Sequence, residues 1–153
     1  RISSGTTTNV IRETAELFGT IRTVSEKTRG AVLEEVRRVA SGIAAAHGAE
    51  ADVELDAGYP VTVNDDDAAS FALETARLLL GDDRAIEMPT PVMGAEDWSY
   101  VLQEVPGCMA FLGTSPRPGA VAPNHSNRMV LDERAMAVGI ATHAAVAMRW
   151  LST

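Results

Sequence analysis

The first place in this sequence where side chains could do chemistry is Met93-Gly94-Ala95-Glu96-Asp97-Trp98-Ser99-Tyr100, a glycine turn followed by two acidic residues. The second is Asn124-His125-Ser126, a single imidazole within a stretch rich in Gly, Pro and Asn. A neutral imidazole is a common ligand for zinc and related ions, and a loop lets it converge with ligands from elsewhere in a fold. By itself a loop histidine is more often just a solvated side chain, and one histidine falls far short of the three or four ligands of a zinc site. His47 and His143 have structural readings, as a cationic helix end and as a hydrogen-bonded core residue. Glu96 and Asp97 are adjacent, so on a helix they diverge by about 100 degrees and cannot both face one substrate. Helix capping, or orienting a ligand from behind, suits them better than a general acid and base pair.

Asn9 and Arg22 form another candidate pair. An amide and a guanidinium on paired strands could together hold a carboxylate, the guanidinium supplying a planar two-toothed fork. By spacing alone the pair is weak, because an exposed strand arginine most often does nothing more than solvate.

The elements that must position these groups follow from periodicity. Residues 6–11 and 14–23 are rich in Thr, Val and Ile and are expected to form a hairpin. Ser25 is the expected cap of a helix whose stripe is Val32, Val36, Val39 and Ile43, widened by Leu33, Ala40 and Ala44 and stopped by Gly48. Residues 51–55 alternate as a strand, with Val53 and Leu55 on one side. Strand, strand, helix, strand is the order of a ferredoxin-like sandwich without its first strand and helix. Tyr59-Pro60 marks a boundary, after which Asn64 is the expected cap of a helix running through Phe71, Leu73, Ala76 and Leu80 to Gly81. Asp65, Asp66 and Asp67 read as a solvated helix start, where the dipole favours negative charge. A short helix over 96–105, a buried strand over 108–112 and a loop over 113–123 come next. From Asp132 a last helix is expected to carry Met136, Ile140, His143, Val146 and Trp150 along its buried face.

Composition narrows the classes. The chain has 153 residues, 46% hydrophobic and 22% charged, the proportions of a globular protein with a real core. A formal net charge of -8 argues against a nucleic-acid partner. The single cysteine, Cys108, leaves no disulfide framework and no thiolate cluster within the chain, and its apolar surroundings suit a buried, inert thiol. The most apolar stretch, 135–151, is about 17 residues and interrupted by Thr142, His143 and Arg149, short of the ~20 needed for a membrane span. A cytoplasmic protein with no membrane partner is expected. Arg1 stands where an initiator methionine would, and the strand-like residues 2–5 suggest a start inside a domain.

In order and spacing these motifs resemble the metal-dependent amidohydrolases that cleave N-acyl amino acids, an aminoacylase-like metallopeptidase family. It includes hippurate hydrolases and auxin-conjugate hydrolases, and is related to a carboxypeptidase that removes glutamate from folates. Gly5, Asn9-Val10-Ile11 and Gly19-Thr20-Ile21-Arg22-Thr23 resemble its glycine turn, Asn-Val-Ile-Pro and Gly-Thr-x-Arg-Thr. Met93 through Ser99 resembles its Met-Gly-Ser-Glu-Asp-Phe-Ser, and Phe111-Leu112-Gly113 and His125-Ser126 follow in the same order. Arg12 stands where the family has proline, as does Asn127 after the His-Ser.

The resemblance implies a mixed α/β (α+β) chain in two parts. Residues 1–61 would be part of a ferredoxin-like α/β sandwich, the lid or dimerisation domain. Residues 62–153 would be the C-terminal part of a mixed-sheet, zinc-peptidase-like catalytic domain. It implies His125 as a metal ligand, and Asn9 and Arg22 as substrate-carboxylate binders. One or two divalent ions (zinc, manganese, cobalt or nickel) would activate water to hydrolyse the amide of an N-acyl amino acid or small peptide. Most ligands and the glutamate general base would lie outside this chain, which then holds no catalytic residue and is inactive alone. The implied partners are the substrate, the missing N-terminal half and a second copy joined through the lid. The alternative is a non-catalytic dimerisation or interaction module.

Overall fold

The computed structural model describes residues 1–117, 119 and 122–152. Its elements are β1 (Ile2–Ser3), β2 (Glu16–Leu17), α1 (Glu26–Ala46), α2 (Asp66–Leu80), α3 (Trp98–Glu104) and α4 (Ala135–Trp150), a mixed α/β chain. They divide between two units, Arg1–Val61 with Val92–Gly94, and Thr62–Pro91 with Ala95–Thr153.

In the first unit β1 and β2 pair antiparallel, Ile2 opposite Leu17 and Ser3 opposite Glu16. Phe18 N–H donates to the Arg1 carbonyl at 2.8 Å, and the Arg1 amino group to the Phe18 carbonyl at 2.7 Å. The hairpin expected over 6–11 and 14–23 is therefore displaced: residues 4–15 are the connection, and Asn9 and Arg22 both lie outside strands. Local side-chain bonds compete with the ladder there. Ser4 Oγ donates to the Thr14 carbonyl at 2.9 Å, and Arg12 Nη2 to Thr6 Oγ1 at 2.7 Å. Gly5 has φ +67°, and a Cβ at that position would lie 2.7 Å from Arg12 Cγ. Only glycine fits under that side chain.

Helix α1 starts as its sequence dictates. Ser25 has extended backbone, and its hydroxyl accepts Thr28 N–H at 3.1 Å. The helix stops at Gly48, φ +69°, where Ala49 N–H reaches the Ala44 carbonyl at 2.9 Å. That six-to-one closure with a left-handed glycine satisfies carbonyls the helix leaves open. Arg29 holds the Ala57 carbonyl, and Glu26 accepts Val61 N–H at 2.7 Å, so the segment after residue 55 is tied back to the first turn. Val32, Leu33, Val36, Ala40 and Ala44 are half-buried, whereas Val39 and Ile43 stand exposed. Residues 51–55 keep the expected alternation, with Val53 and Leu55 half-buried, but among the described residues they form no ladder. Alternation chooses a face; a strand also needs a neighbour that accepts its hydrogen bonds.

In the second unit the order of caps shifts by one residue. Asp65, not Asn64, caps α2, its carboxylate accepting Ala68 N–H at 2.9 Å. Asn64 Oδ1 accepts Met109 N–H at 2.9 Å, and Asp65 N–H donates to the Gly107 carbonyl at 2.9 Å. Residues 107–109 are thereby fastened beside α2 without becoming a strand, while Phe111 and Leu112 are exposed. Helices α2 and α4 pack on each other. The face of α4 that packs is Ala135, Val138, Gly139, Thr142, Ala145, Val146 and Arg149, not the expected one; Met136, Ile140 and Trp150 are exposed, and so is His143. Small residues permit close approach: a Cβ on Gly139 would stand 3.0 Å from Leu112 Cδ2. Asp132 is not the α4 cap, since its carboxylate accepts Arg134 N–H at 3.1 Å and pairs with the Arg134 guanidinium at 2.8 Å. No helix among the described residues is long and apolar enough to cross a membrane.

Candidate functional site

His125 is held in the left-handed region, φ +67°, and is the one non-glycine among the described residues with positive φ. A side chain there costs roughly 1–2 kcal/mol, because Cβ crowds the following carbonyl. Two consecutive turns impose it. Ser126 N–H donates to the Pro123 carbonyl and Met129 N–H to the Ser126 carbonyl, each at 3.1 Å. Ser126 Oγ accepts Arg128 N–H at 3.1 Å and stiffens the second turn. The imidazole is exposed, so it is reachable by groups outside the chain. Strain maintained by surrounding bonds is a mark of functional positions. Of the loop expected over 113–123, Pro118, Ala120 and Val121 lie outside the described residues.

No group of three or more His, Cys, Asp or Glu side chains able to hold a metal occurs among the described residues. A single exposed imidazole such as that of His125 fits one ligand position and not a complete site. Cys108 adds nothing to it: its Sγ lies 3.7 Å from the Ala68 carbonyl, and burial pushes the thiol up from its ordinary value. A raised thiol is a poor ligand and nucleophile, in keeping with the inert reading.

The acidic motif has a structural task. Glu96 contributes its carbonyl, which accepts Ser99 N–H at 3.2 Å and Ser99 Oγ at 2.6 Å. Ser99 is fully buried, so this double bond anchors the start of α3. Asp97 is helical in backbone and its side chain caps nothing, so of the two roles expected for it capping is not realised. His47 ends α1 as expected, donating its backbone N–H to the Ala44 carbonyl at 3.0 Å.

Asn9 and Arg22 belong to the first unit, and no hydrogen bond joins them. Arg22 instead donates from Nη1 to the main-chain carbonyl of Met93 at 2.7 Å, across 71 positions of sequence. Met93 falls within Val92–Gly94, the segment that groups with the first unit. Sequence reasoning missed this partner because a main-chain carbonyl carries no residue-type signal. Only the glycine after Met93 hinted that the backbone there is accessible.

The model for peptidase family M20/M25/M40 matches residues 4–149 of the chain. The chain belongs to that family. Among its relatives, thermostable carboxypeptidase 2 of Saccharolobus solfataricus is 36% identical over 151 residues, covering 97% of this chain and 37% of its own length. An N-acetyldiaminopimelate deacetylase of Streptococcus thermophilus is 35% identical over 139 residues, covering 90% of this chain and 35% of its own. An IAA-amino acid hydrolase of Arabidopsis thaliana is 31% identical over 155 residues, covering 99% and 35%. The YXEP protein of Bacillus subtilis, described as a dinuclear metal binding peptidase from the M20 family, superimposes with a TM-score of 0.78 at 35% identity. It covers all of this M20 chain, which spans 41% of its length. The M20 chain thus spans little more than a third of the curated relatives it matches, 35–37% of their length.

Proposed function

We propose that this chain is the C-terminal part of a metal-dependent amidohydrolase, acting on the amide bond of N-acyl amino acids or small peptides. The observation that carries the reading is the left-handed backbone of His125, an imidazole presented at an energetic cost by a doubly turned loop. Membership of the family and its relatives' names, carboxypeptidase, deacetylase and amino acid hydrolase, support a hydrolase, and the reading of the substrate builds on that. When bound, one or two divalent ions would supply an activated water. His125 contributes one neutral nitrogen to them, and the remaining ligands and the general base come from the rest of the enzyme. Arg22 and Asn9 hold the free carboxylate of the substrate, Arg22 by charge and planar geometry and Asn9 by a neutral amide. The first unit corresponds to the lid and dimerisation domain, the second to part of the catalytic domain.

The test is on the full-length enzyme. Metal content measured by elemental analysis should fall together with turnover of N-acyl amino acids in His125→Ala, while far-UV circular dichroism is unchanged. Unaltered metal stoichiometry in that variant would sink the assignment. The exposed Ile43 and a shallow groove lined by Val32, Glu35, Val36, Val39 and Ala40 favour an interaction surface on α1. That feature serves the alternative, a non-catalytic dimerisation module, as well as a dimeric enzyme, and only the enzyme binds metal through His125.

A further inference from the structure

The bond from Arg22 to Met93 is out of proportion to what an exposed arginine needs. Arg22 carries no ion pair among the described residues; its hydrogen bond goes to a neutral peptide carbonyl 71 positions away. The segment it grips, Val92–Gly94, groups with the first unit, although Pro91 before it and Ala95 after it group with the second. Met93, within that segment, is the residue whose main chain Arg22 contacts. We infer that the Met93 carbonyl is a resident acceptor in a carboxylate subsite, and that a ligand carboxylate displaces it from Arg22, releasing residues 92–94 from the first unit. This rests on the reading of Arg22 as a carboxylate-binding residue and adds what the subsite holds before the ligand arrives.

The chemistry favours exchange. A guanidinium has five N–H donors in a planar fork, and a peptide carbonyl offers one neutral oxygen to it. A carboxylate offers two charged oxygens at the matching spacing, giving parallel charge-assisted bonds roughly twice as strong as neutral ones. Arg22 is exposed, so the exchange opens no core. The residue after Met93 is Gly94, and a Cβ built on it meets only Val92 Cγ1 at 3.8 Å, so little stands in the way of the backbone turning there. From Gly94 the chain runs through Glu96 and Asp97 into α3.

Met93–Gly94 is the only Met–Gly step in the sequence. Labelling the chain with carbonyl-13C methionine and 15N glycine therefore gives one cross-peak in a two-dimensional HNCO spectrum, which reports the Met93 carbonyl. In Arg22→Ala and Arg22→Gln that carbon should shift upfield through loss of the hydrogen bond, with the helical circular dichroism unchanged. In the wild type N-benzoylglycine should move it toward the Arg22→Ala position, and N-methylbenzamide, which lacks the carboxylate, should not. Binding of N-benzoylglycine followed by calorimetry should weaken at least about tenfold in Arg22→Ala. If binding depends on Arg22 but the Met93 peak stays still, the displacement is wrong and the carboxylate reading stands. If affinity is the same with and without Arg22, or absent from both, the carboxylate reading fails and the displacement with it.

Discussion

Arg149 near the end of α4 donates from Nη1 to the hydroxyl of Thr75 on α2 at 2.9 Å, and Thr75 is 4% exposed. The same guanidinium reaches Glu74 Oε2 at 2.7 Å and lies over the Phe71 ring, 4.6 Å from its centre. Phe71 in turn meets Trp150 edge to face at 5.4 Å. Thr75 is satisfied on both sides, since its hydroxyl also donates to the Phe71 carbonyl at 2.7 Å. One cation therefore closes the helix pair that carries the second unit.

The contributions within this cluster differ by exposure. Glu74 is 62% exposed at its side chain, so the ion pair is screened and Glu74→Gln should cost about 0.5 kcal/mol or less. Arg149→Ala removes the bond to Thr75 and the contact with the ring as well, and should cost roughly 1–2 kcal/mol. Urea unfolding of the two variants measures the difference. Equal losses would mean that the ion pair alone joins the helices.

At the start of α1, Ser25→Ala should lower stability by about 1 kcal/mol, because Thr28 N–H loses its acceptor. Gly48→Ala should cost about 1–2 kcal/mol at φ +69°, although no atom stands within 4 Å of the added methyl. The second cost is purely conformational. Gly48→Asn, whose side chain tolerates the left-handed region, should cost less than Gly48→Ala in the same melting experiment.

These caps were legible in the sequence, as was the stop of α2 at Gly81, because each depends on residues within four positions, whereas the start of α2 was placed one residue early, at Asn64 in place of Asp65. The hairpin was displaced where Ser4 bonds the Thr14 carbonyl and Arg12 bonds the Thr6 hydroxyl within the connection, local bonds that Thr-rich composition conceals. The buried face of α4 was misjudged because Met136 and Ile140 are the more apolar residues, whereas contact with α2 selects the smaller ones. At the candidate site, His125 was legible as a residue type in a loop. Its backbone strain was not, since a turn that forces positive φ usually announces itself with glycine or asparagine. The Arg22 partner lies 71 residues away and on the main chain, beyond any pattern of side chains.

Glu26 supplies a pH-dependent contact. Its carboxyl is held below the ordinary glutamate value, first by Val61 N–H and then by Arg29. A carboxyl depressed in the folded state stabilises fully above its unfolded pKa, and that contribution is lost as pH falls through the folded value. The carboxyl carbon of Glu26 should therefore titrate by NMR below the ordinary glutamate value. Arg29→Ala should raise the midpoint only in part, because the backbone donor is the larger cause. A midpoint at the ordinary glutamate value in the wild type would show that the Val61 bond is absent in solution.

Arg22 is separable from the fold by kinetics. In the full-length enzyme, loss of its charge-assisted bond to a substrate carboxylate should cost about 1.5–3 kcal/mol, roughly ten- to a hundredfold in kcat/KM. Arg22→Ala should slow N-acyl amino acids far more than matching amides without the carboxylate, and Arg22→Lys should restore only part. Asn9→Ala should follow the same dependence more weakly, its amide being neutral. Equal losses on both substrates would instead mark a folding or dimer defect.

His125 offers the sharpest separation of stability from function. Replacing it with glycine removes the imidazole and also the crowding of its Cβ at φ +67°. His125→Gly should raise the stability of the chain by up to about 1 kcal/mol, the left-handed cost offset in part by the greater freedom of unfolded glycine. His125→Ala keeps the crowding and should gain nothing. In the full-length enzyme both variants should lose metal and activity alike. A residue placed only for folding would behave in the opposite sense, with glycine destabilising the loop and activity following stability. Thermal melts of the two variants in parallel with metal analysis decide between these. If glycine lowers the melting temperature and leaves the metal content intact, His125 is a structural residue and another group holds the ion.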